Sequence, residues 1–239
     1  SRGPVVLVSL KDLDLSAQFE SSLFLRLVAV YGQDFGTIYY MENHFEDVTG
    51  VRASLSDVNY LADDGIAGIV YLADRLGKPI LVEGPAGTGK TQLAKSVAEM
   101  IDARLIRLQC YEGIDASQAV YEWDYAKQLL HLRVSEVTGL ASESNLASLE
   151  GEIYDEKFLI RRPLMRALEP ADLPPVLLID EVDRADDEFE AFLLEVLSDY
   201  SITVPEIGTF KTENPPVVII TSNRTRDVHD ALKRRCLYH

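Results

Sequence analysis

Basic residues are scarce in this chain. Across 239 residues there are 23 Lys+Arg against 39 Asp+Glu, a formal net charge of −16. That deficit weighs against any function dominated by non-specific contacts to a nucleic-acid backbone. "RTRDVHDALKRRC", near the end, is the densest cationic stretch, and acids interrupt it. Cysteine is nearly absent as well. Cys110 and Cys236 cannot build a disulfide framework, and with four scattered histidines they show no zinc-ligand spacing. Each reads most simply as a buried small hydrophobe, and a reducing cytoplasm is the expected setting. No stretch approaches the ~18 uncharged apolar residues of a membrane span. The opening "SRGPVVLVSLKDLD" does not read as a secretory leader, since its short apolar run leads into acids. No internal repeat is visible. What is present is a 47% hydrophobic chain, long enough for one large α/β domain or two small ones.

Glycine is not abundant, yet three of the 14 fall within "ILVEGPAGTGKTQLA", residues 80–94. Gly84, four residues, then Gly89, Lys90 and Thr91 make the pattern GxxxxGK[ST]. Glycines let successive N–H groups turn inward as an anion nest at a helix start. Lys90 then reaches the β- and γ-phosphates of a nucleotide, and the Thr91 hydroxyl is placed to ligate Mg²⁺. The candidate cradle is Gly84, Pro85, Ala86, Gly87, Thr88, Gly89, Lys90, Thr91 and Gln92. A glycine-rich turn with an exposed lysine is the bland alternative. Context opposes it: "KPILVE" reads as a buried strand, and Leu93, Ala94, Val97, Ala98 and Ile101 recur at helical spacing.

Elsewhere, residues 58–76 read as a helix and 103–111 as a strand. Within 112–174, "DASQAVYEWDYAKQLLHLR" and "DEKFLIRRPLMRALE" read as helical, with a loop over 138–151 between them. "PPVLLIDEVD" (174–183) and "PPVVIITSN" (215–223) read as buried strands, and "ADDEFEAFLLEVLSDY" as an amphipathic helix. "SITVPEIGTFKT" reads as a hairpin with Gly208 in its turn. Alternating buried strands and helices predict a parallel α/β sandwich, with polar groups at the carboxyl ends of strands.

"VLLIDE" carries Asp180 and Glu181 at such an end. Asp180 is the candidate to hold Mg²⁺ beside Thr91, and Glu181 the candidate general base that polarises the attacking water, directed to the other face. A strand ending in solvated carboxylates is the alternative reading. Asn223 closes "VVIITSN", where its amide could bond both the γ-phosphate and the water; alone it would be a turn residue.

Together "GPAGTGKT", "LLIDEVDRA", "ITSN" and "LKRRC" resemble an AAA+ ATPase. The narrower likeness is to the MoxR group, particularly members associated with carbon monoxide dehydrogenase maturation. It is carried by "LQCYEGIDASQAVYEWDY", "FLIRRPLMRAL", "IDEVDRADDEFEAFLLEVLSDYSITVPEIGTF" and "TSNRTRDVHDALKRRCLYH", and spans about residues 45–239. The resemblance implies a P-loop NTPase three-layer αβα sandwich with a mostly parallel central sheet, and ATP bound with Mg²⁺ between ring neighbours, commonly in hexamers. It implies an arginine that reaches the neighbour's γ-phosphate: Arg235 best matches, and Arg234 is the fallback. A pair of helix-end cations is the plainer reading of both. It also implies a helical insertion at about 112–174, and work on a client protein, by remodelling or metal-centre maturation, often with a von Willebrand factor A domain partner.

Two departures are expected. The sequence ends at His239, just past these arginines, so the family's helical lid and second sensor arginine are expected to be absent. Residues 1–40 match nothing in the family pattern, and Met41 is the expected native start; "SSLFLRLVAVYG" could otherwise pack on the core as a helix. The boundary between the N-terminal segment, 1–44, and the core, 45–239, follows from this. The rival functions are a nucleotide-gated scaffold with little turnover and a nucleic-acid motor on the same core. A GTPase is disfavoured because "SNRTRD" stands where a guanine-reading sequence would follow.

Overall fold

The structure is a computed structural model that describes residues 44–137, 152–171 and 173–239. The readings of residues 1–43, including Met41 and the "SSLFLRLVAVYG" helix, and of the 138–151 loop lie outside the described residues.

Carboxylate caps set the first helices. Asp47 accepts from the Gly50 N–H at 2.7 Å to start α1 (Val48–Asp57). Asp63 accepts from the Ile66 N–H at 2.7 Å to start α2 (Asp64–Leu76). The helix expected over 58–76 therefore begins only at Asp64, because Asn59 takes a left-handed backbone (φ +60°) that ends any earlier run. Then follow β1 (Ile80–Glu83), α3 (Lys90–Met100) and β2 (Leu105–Gln109).

The next stretch departs from expectation. A capping box between Asp115 and Gln118 starts α4 (Ala116–Val120), but the chain extends at Tyr121 (φ −155°, ψ 166°) into β3 (Tyr121–Trp123). α5 (Tyr125–Val137) follows. β4 (Leu159–Arg161) pairs antiparallel with β3, Trp123 opposite Leu159, before Pro163 opens α6 (Pro163–Ala167). Neither segment read as helical is one helix. Alternation of Tyr121 and Trp123 favours a strand, and the residue before Pro163 is driven to extended backbone.

β5 (Val176–Asp180) is buried throughout. α7 (Asp187–Asp199) is capped by Asp186 and carries three acids in its first turn, favourable to the helix dipole. The hairpin of β6 (Ser201–Val204) and β7 (Gly208–Lys211) is present, but Gly208 pairs with Val204 and opens β7 rather than sitting in the turn. Its φ of +129° is one that only glycine adopts readily. β8 (Val217–Ser222), α8 (Asp230–Arg235) and the short β9 (Leu237–Tyr238) complete the described chain.

Five strands form one wholly parallel sheet in the order β2–β5–β8–β1–β9. Alternation along β5 sends Leu177 and Ile179 into one core, with Leu164, Phe189, Leu193 and Leu232 from α6, α7 and α8. Val176 and Leu178 enter the other, with Leu55, Val70, Leu93 and Val97 from α1, α2 and α3. This is the expected three-layer α/β sandwich. Because all five strands run the same way, the ends of β1, β2, β5 and β8 open on one edge, where the candidate residues stand. No helix among the described residues is long and apolar enough to cross a membrane.

Candidate functional site

Between β1 and α3 the backbone turns through Gly87 (φ +85°) and Gly89 (φ +88°). A Cβ at either would meet no heavy atom within 4 Å, so the backbone angle, not crowding, calls for glycine. Gly89 occupies the N-cap of α3 and offers no side-chain acceptor, which leaves the first helical N–H groups for an outside anion. Pro85, Ala86, Gly87 and Thr88 form an exposed crest, and Gln92 is exposed on the first turn of α3. Lys90 is buried, its ammonium donating at 2.7 Å to both the Gly84 and Pro85 carbonyls. The loop thus holds its own cation across the mouth of the nest.

Thr91 and Asp180, 89 residues apart in sequence, are in contact: the hydroxyl donates to Asp180 Oδ1 at 3.1 Å. Asp180 is only 2% exposed and its carboxylate is fully engaged. Thr221, on β8, donates to Oδ1 at 2.6 Å, while Arg107, on β2, donates to Oδ2 through Nε at 3.0 Å and Nη2 at 2.6 Å. Glu181 turns off the strand end in left-handed backbone (φ +58°), its N–H bonded to Thr221 Oγ1 at 2.9 Å. Its Oε2 accepts from Gln109 Nε2 at 3.2 Å and lies 3.0 Å from Arg184 Nε. Arg107 also bonds Gln109, so one polar chain on β2 touches both acids.

Asn223 is held through its backbone. Its N–H donates to Asp183 Oδ1 at 3.0 Å, and the Thr225 N–H and hydroxyl donate to Oδ2 at 2.9 and 2.5 Å. Burial pushes the Asp183 pKa up, but the hydrogen bonds from Thr225 and Asn223 outweigh it and leave the pKa below the usual carboxylate value. This clamp spans Arg224, whose left-handed backbone (φ +60°) returns its side chain to β1: Nε meets Glu83 Oε2 at 3.3 Å and Nη2 donates to the Tyr238 hydroxyl at 3.1 Å. Tyr238 in turn donates to Glu83 at 2.7 Å. The Asn223 amide itself has no partner among the described residues.

Among the described residues, no bond joins Arg234 or Arg235 to the phosphate loop or the acids. Arg235 Nη1 donates to the Leu194 carbonyl at 2.7 Å, whereas the exposed Arg234 guanidinium has no partner among the described residues. Arg107, Gln109, Thr221, Asp183, Arg184 and Arg224 were not singled out from the sequence. Polar residues at alternate positions of β2, beside a strand that ends in acids, were the available signal.

Among the described residues no group of three or more His, Cys, Asp or Glu could hold a metal alone. The oxygen pair of Thr91 and Asp180 nevertheless fits Mg²⁺, which takes one or two protein oxygens and completes its shell with phosphates and water.

The family profile "AAA domain (dynein-related subfamily)" matches residues 79–236. An uncharacterized protein of Staphylococcus aureus (strain bovine RF122 / ET3-1) is 27% identical over 167 residues, which cover 67% of this chain and 54% of that protein. One from Staphylococcus saprophyticus is 25% identical over 189 residues, 76% of this chain and 62% of its own length. The chain thus spans little more than half the length of these curated relatives. A crystal structure from Cytophaga hutchinsonii, of a protein provisionally named an ATPase, is 18% identical with a TM-score of 0.47, covering 80% of this chain and 52% of that one.

Proposed function

The chain belongs to the AAA domain family, and on that premise we propose that it binds ATP with Mg²⁺ at the loop from Gly84 to Thr91 and hydrolyses it. One observation carries the reading: the hydrogen bond from Thr91 to Asp180, which brings the end of the phosphate loop to the acid-tipped strand. Thr91 and Asp180 are the residues that would hold the metal, which when bound supplies charge neutralisation at the β- and γ-phosphates. Lys90 leaves its two carbonyls for the phosphates, exchanging neutral acceptors for charged ones. Glu181 has Oε2 engaged, and Oε1, without a partner among the described residues, takes the proton of the attacking water. Asn223 directs its amide at that water and the γ-phosphate.

The finer reading is a MoxR-type chaperone core, working as a ring on a client protein, with a von Willebrand factor A domain protein as the proposed partner and the cytoplasm as the setting. The stretches "LQCYEGIDASQAVYEWDY" and "TSNRTRDVHDALKRRCLYH" support it, and Cys110 and Cys236 are free thiols, as a reducing compartment requires. In that ring Arg234 or Arg235 reaches the neighbour's nucleotide. Phosphate release from ATP and Mg²⁺, measured beside nucleotide affinity, tests the core of the proposal. Tight binding without turnover in an assembled ring would leave a nucleotide-gated scaffold instead.

A further inference from the structure

Asp180 carries five hydrogen bonds from three side chains, and they divide unequally between its oxygens, two on Oδ1 and three on Oδ2. Both threonine hydroxyls reach Oδ1, and Thr91 can keep donating its proton to that oxygen while its lone pair turns to a metal. Oδ2, which besides the arginine takes only the longer Thr91 contact at 3.4 Å, would be the oxygen offered to a metal's water shell. That oxygen is covered by the Arg107 fork, at 3.0 and 2.6 Å. A guanidinium and a divalent cation compete for it, since both are positive and the carboxylate between them is almost fully buried. The two partners differ in freedom: the Asp180 side chain is 3% exposed, whereas that of Arg107 is 51% exposed and can swing into solvent. The site therefore carries a cation of its own on that oxygen. We propose that Arg107 is this resident counter-ion, a positioning residue that neutralises Asp180 in the metal-free site and is displaced from Oδ2 when Mg²⁺ loads with nucleotide.

The inference rests on the metal–nucleotide reading above and sharpens it. Without Arg107, Asp180 would be a buried carboxylate whose only partners are hydroxyls, and metal would enter with nothing to displace. With it, loading exchanges one cation for another, so metal affinity is set partly by the strength of the ion pair.

The test titrates Mg²⁺ against binding of a non-hydrolysable fluorescent ATP analogue to the full chain, for wild type, Arg107→Gln and Arg107→Lys. Arg107→Gln should lower the half-saturating Mg²⁺ concentration by about tenfold, the strength of a charged hydrogen bond. Affinity for the analogue in chelator should stay equal or weaken, because a cation near the phosphates is gone. Arg107→Lys keeps the charge but not the fork, and should fall between the two. An unchanged Mg²⁺ midpoint in Arg107→Gln overturns the proposal, and so does a higher one, which would make Arg107 a support of the metal shell. Should Arg107→Gln fail to fold, the arginine Nε–H resonance of the wild type, assigned by its loss in Arg107→Lys, decides the matter. It should lose its hydrogen-bonded shift when Mg²⁺ and analogue are added together, and persistence of that shift overturns the proposal. If analogue binding by the wild type ignores Mg²⁺ altogether, the metal–nucleotide reading itself fails, and this inference with it.

Discussion

At the residue scale, recognition and chemistry rest on different side chains and should separate. Lys90→Ala removes a charge-assisted phosphate contact and should weaken ATP binding by about 2 kcal/mol, roughly thirtyfold. Glu181→Gln preserves shape and metal ligands, so titration should find near-normal affinity while phosphate release stops. Equal loss of binding in both variants would remove the role given to Glu181. Asp183 supplies a pH signature. Its native pKa lies below the ordinary 3.8, so its stabilisation is complete above that value and lost as pH falls through the lower native one. Asp183→Asn should cost about 2 kcal/mol near neutrality, where donors lose a charged acceptor. In urea titrations the gap to wild type should close as pH drops below about 4. Cys110 is pushed up to about 12 by burial first and then by Asp180, Asp183, Glu190 and Glu181, and Cys236 up to about 12 by burial. Neither thiol should alkylate in the native protein at pH 8, and both should after unfolding; mass spectrometry reads the difference. The phosphate loop was legible because its glycine spacing is tied to a positive φ at Gly87 and Gly89. Arg107 and Gln109 were not, since two polar residues on a strand look the same whether they face solvent or a neighbouring carboxylate.

Among the elements, the long apolar strands and the helices α2, α3 and α7 were readable, whereas α1 and the short elements were not. β5 and β8 announce themselves as unbroken apolar runs, because both faces of a parallel strand are covered. β3 and β4 are three residues each and sit among good helix formers, so local propensity pointed to helix and the pairing of Tyr121–Trp123 with Leu159–Arg161 overrode it. That ribbon has its own anchor: Trp123 is 7% exposed, with Tyr154 edge-on at 5.3 Å. Trp123→Ala should cost about 3 kcal/mol of stability in urea. Nucleotide affinity should change little, because among the described residues no hydrogen bond or ion pair connects the ribbon to the phosphate loop. A large loss of affinity at full folding would mean that the ribbon supports the site.

For the whole molecule, the proposed ring makes a claim that no single subunit can satisfy. If Arg234 or Arg235 acts on the neighbour's nucleotide, turnover per subunit must rise with protein concentration as neighbours assemble. Subunits carrying both arginine-to-alanine changes, mixed with Lys90→Ala subunits, should regain activity, since intact composite sites then form. Activity that ignores dilution, with no recovery in mixtures, would leave the arginines as helix-end cations. The order β2–β5–β8–β1–β9 has a further bearing, on the time course of folding. β1, which launches the phosphate loop, lies between β8 and β9, so its ladder partners run from Ile219 to Tyr238. Closing that span is slow in entropic terms, and the nest cannot be shaped until it is closed. ATP should therefore leave the refolding rate almost untouched and act on the other limb, slowing unfolding of a sheet that the ligand meets only when finished.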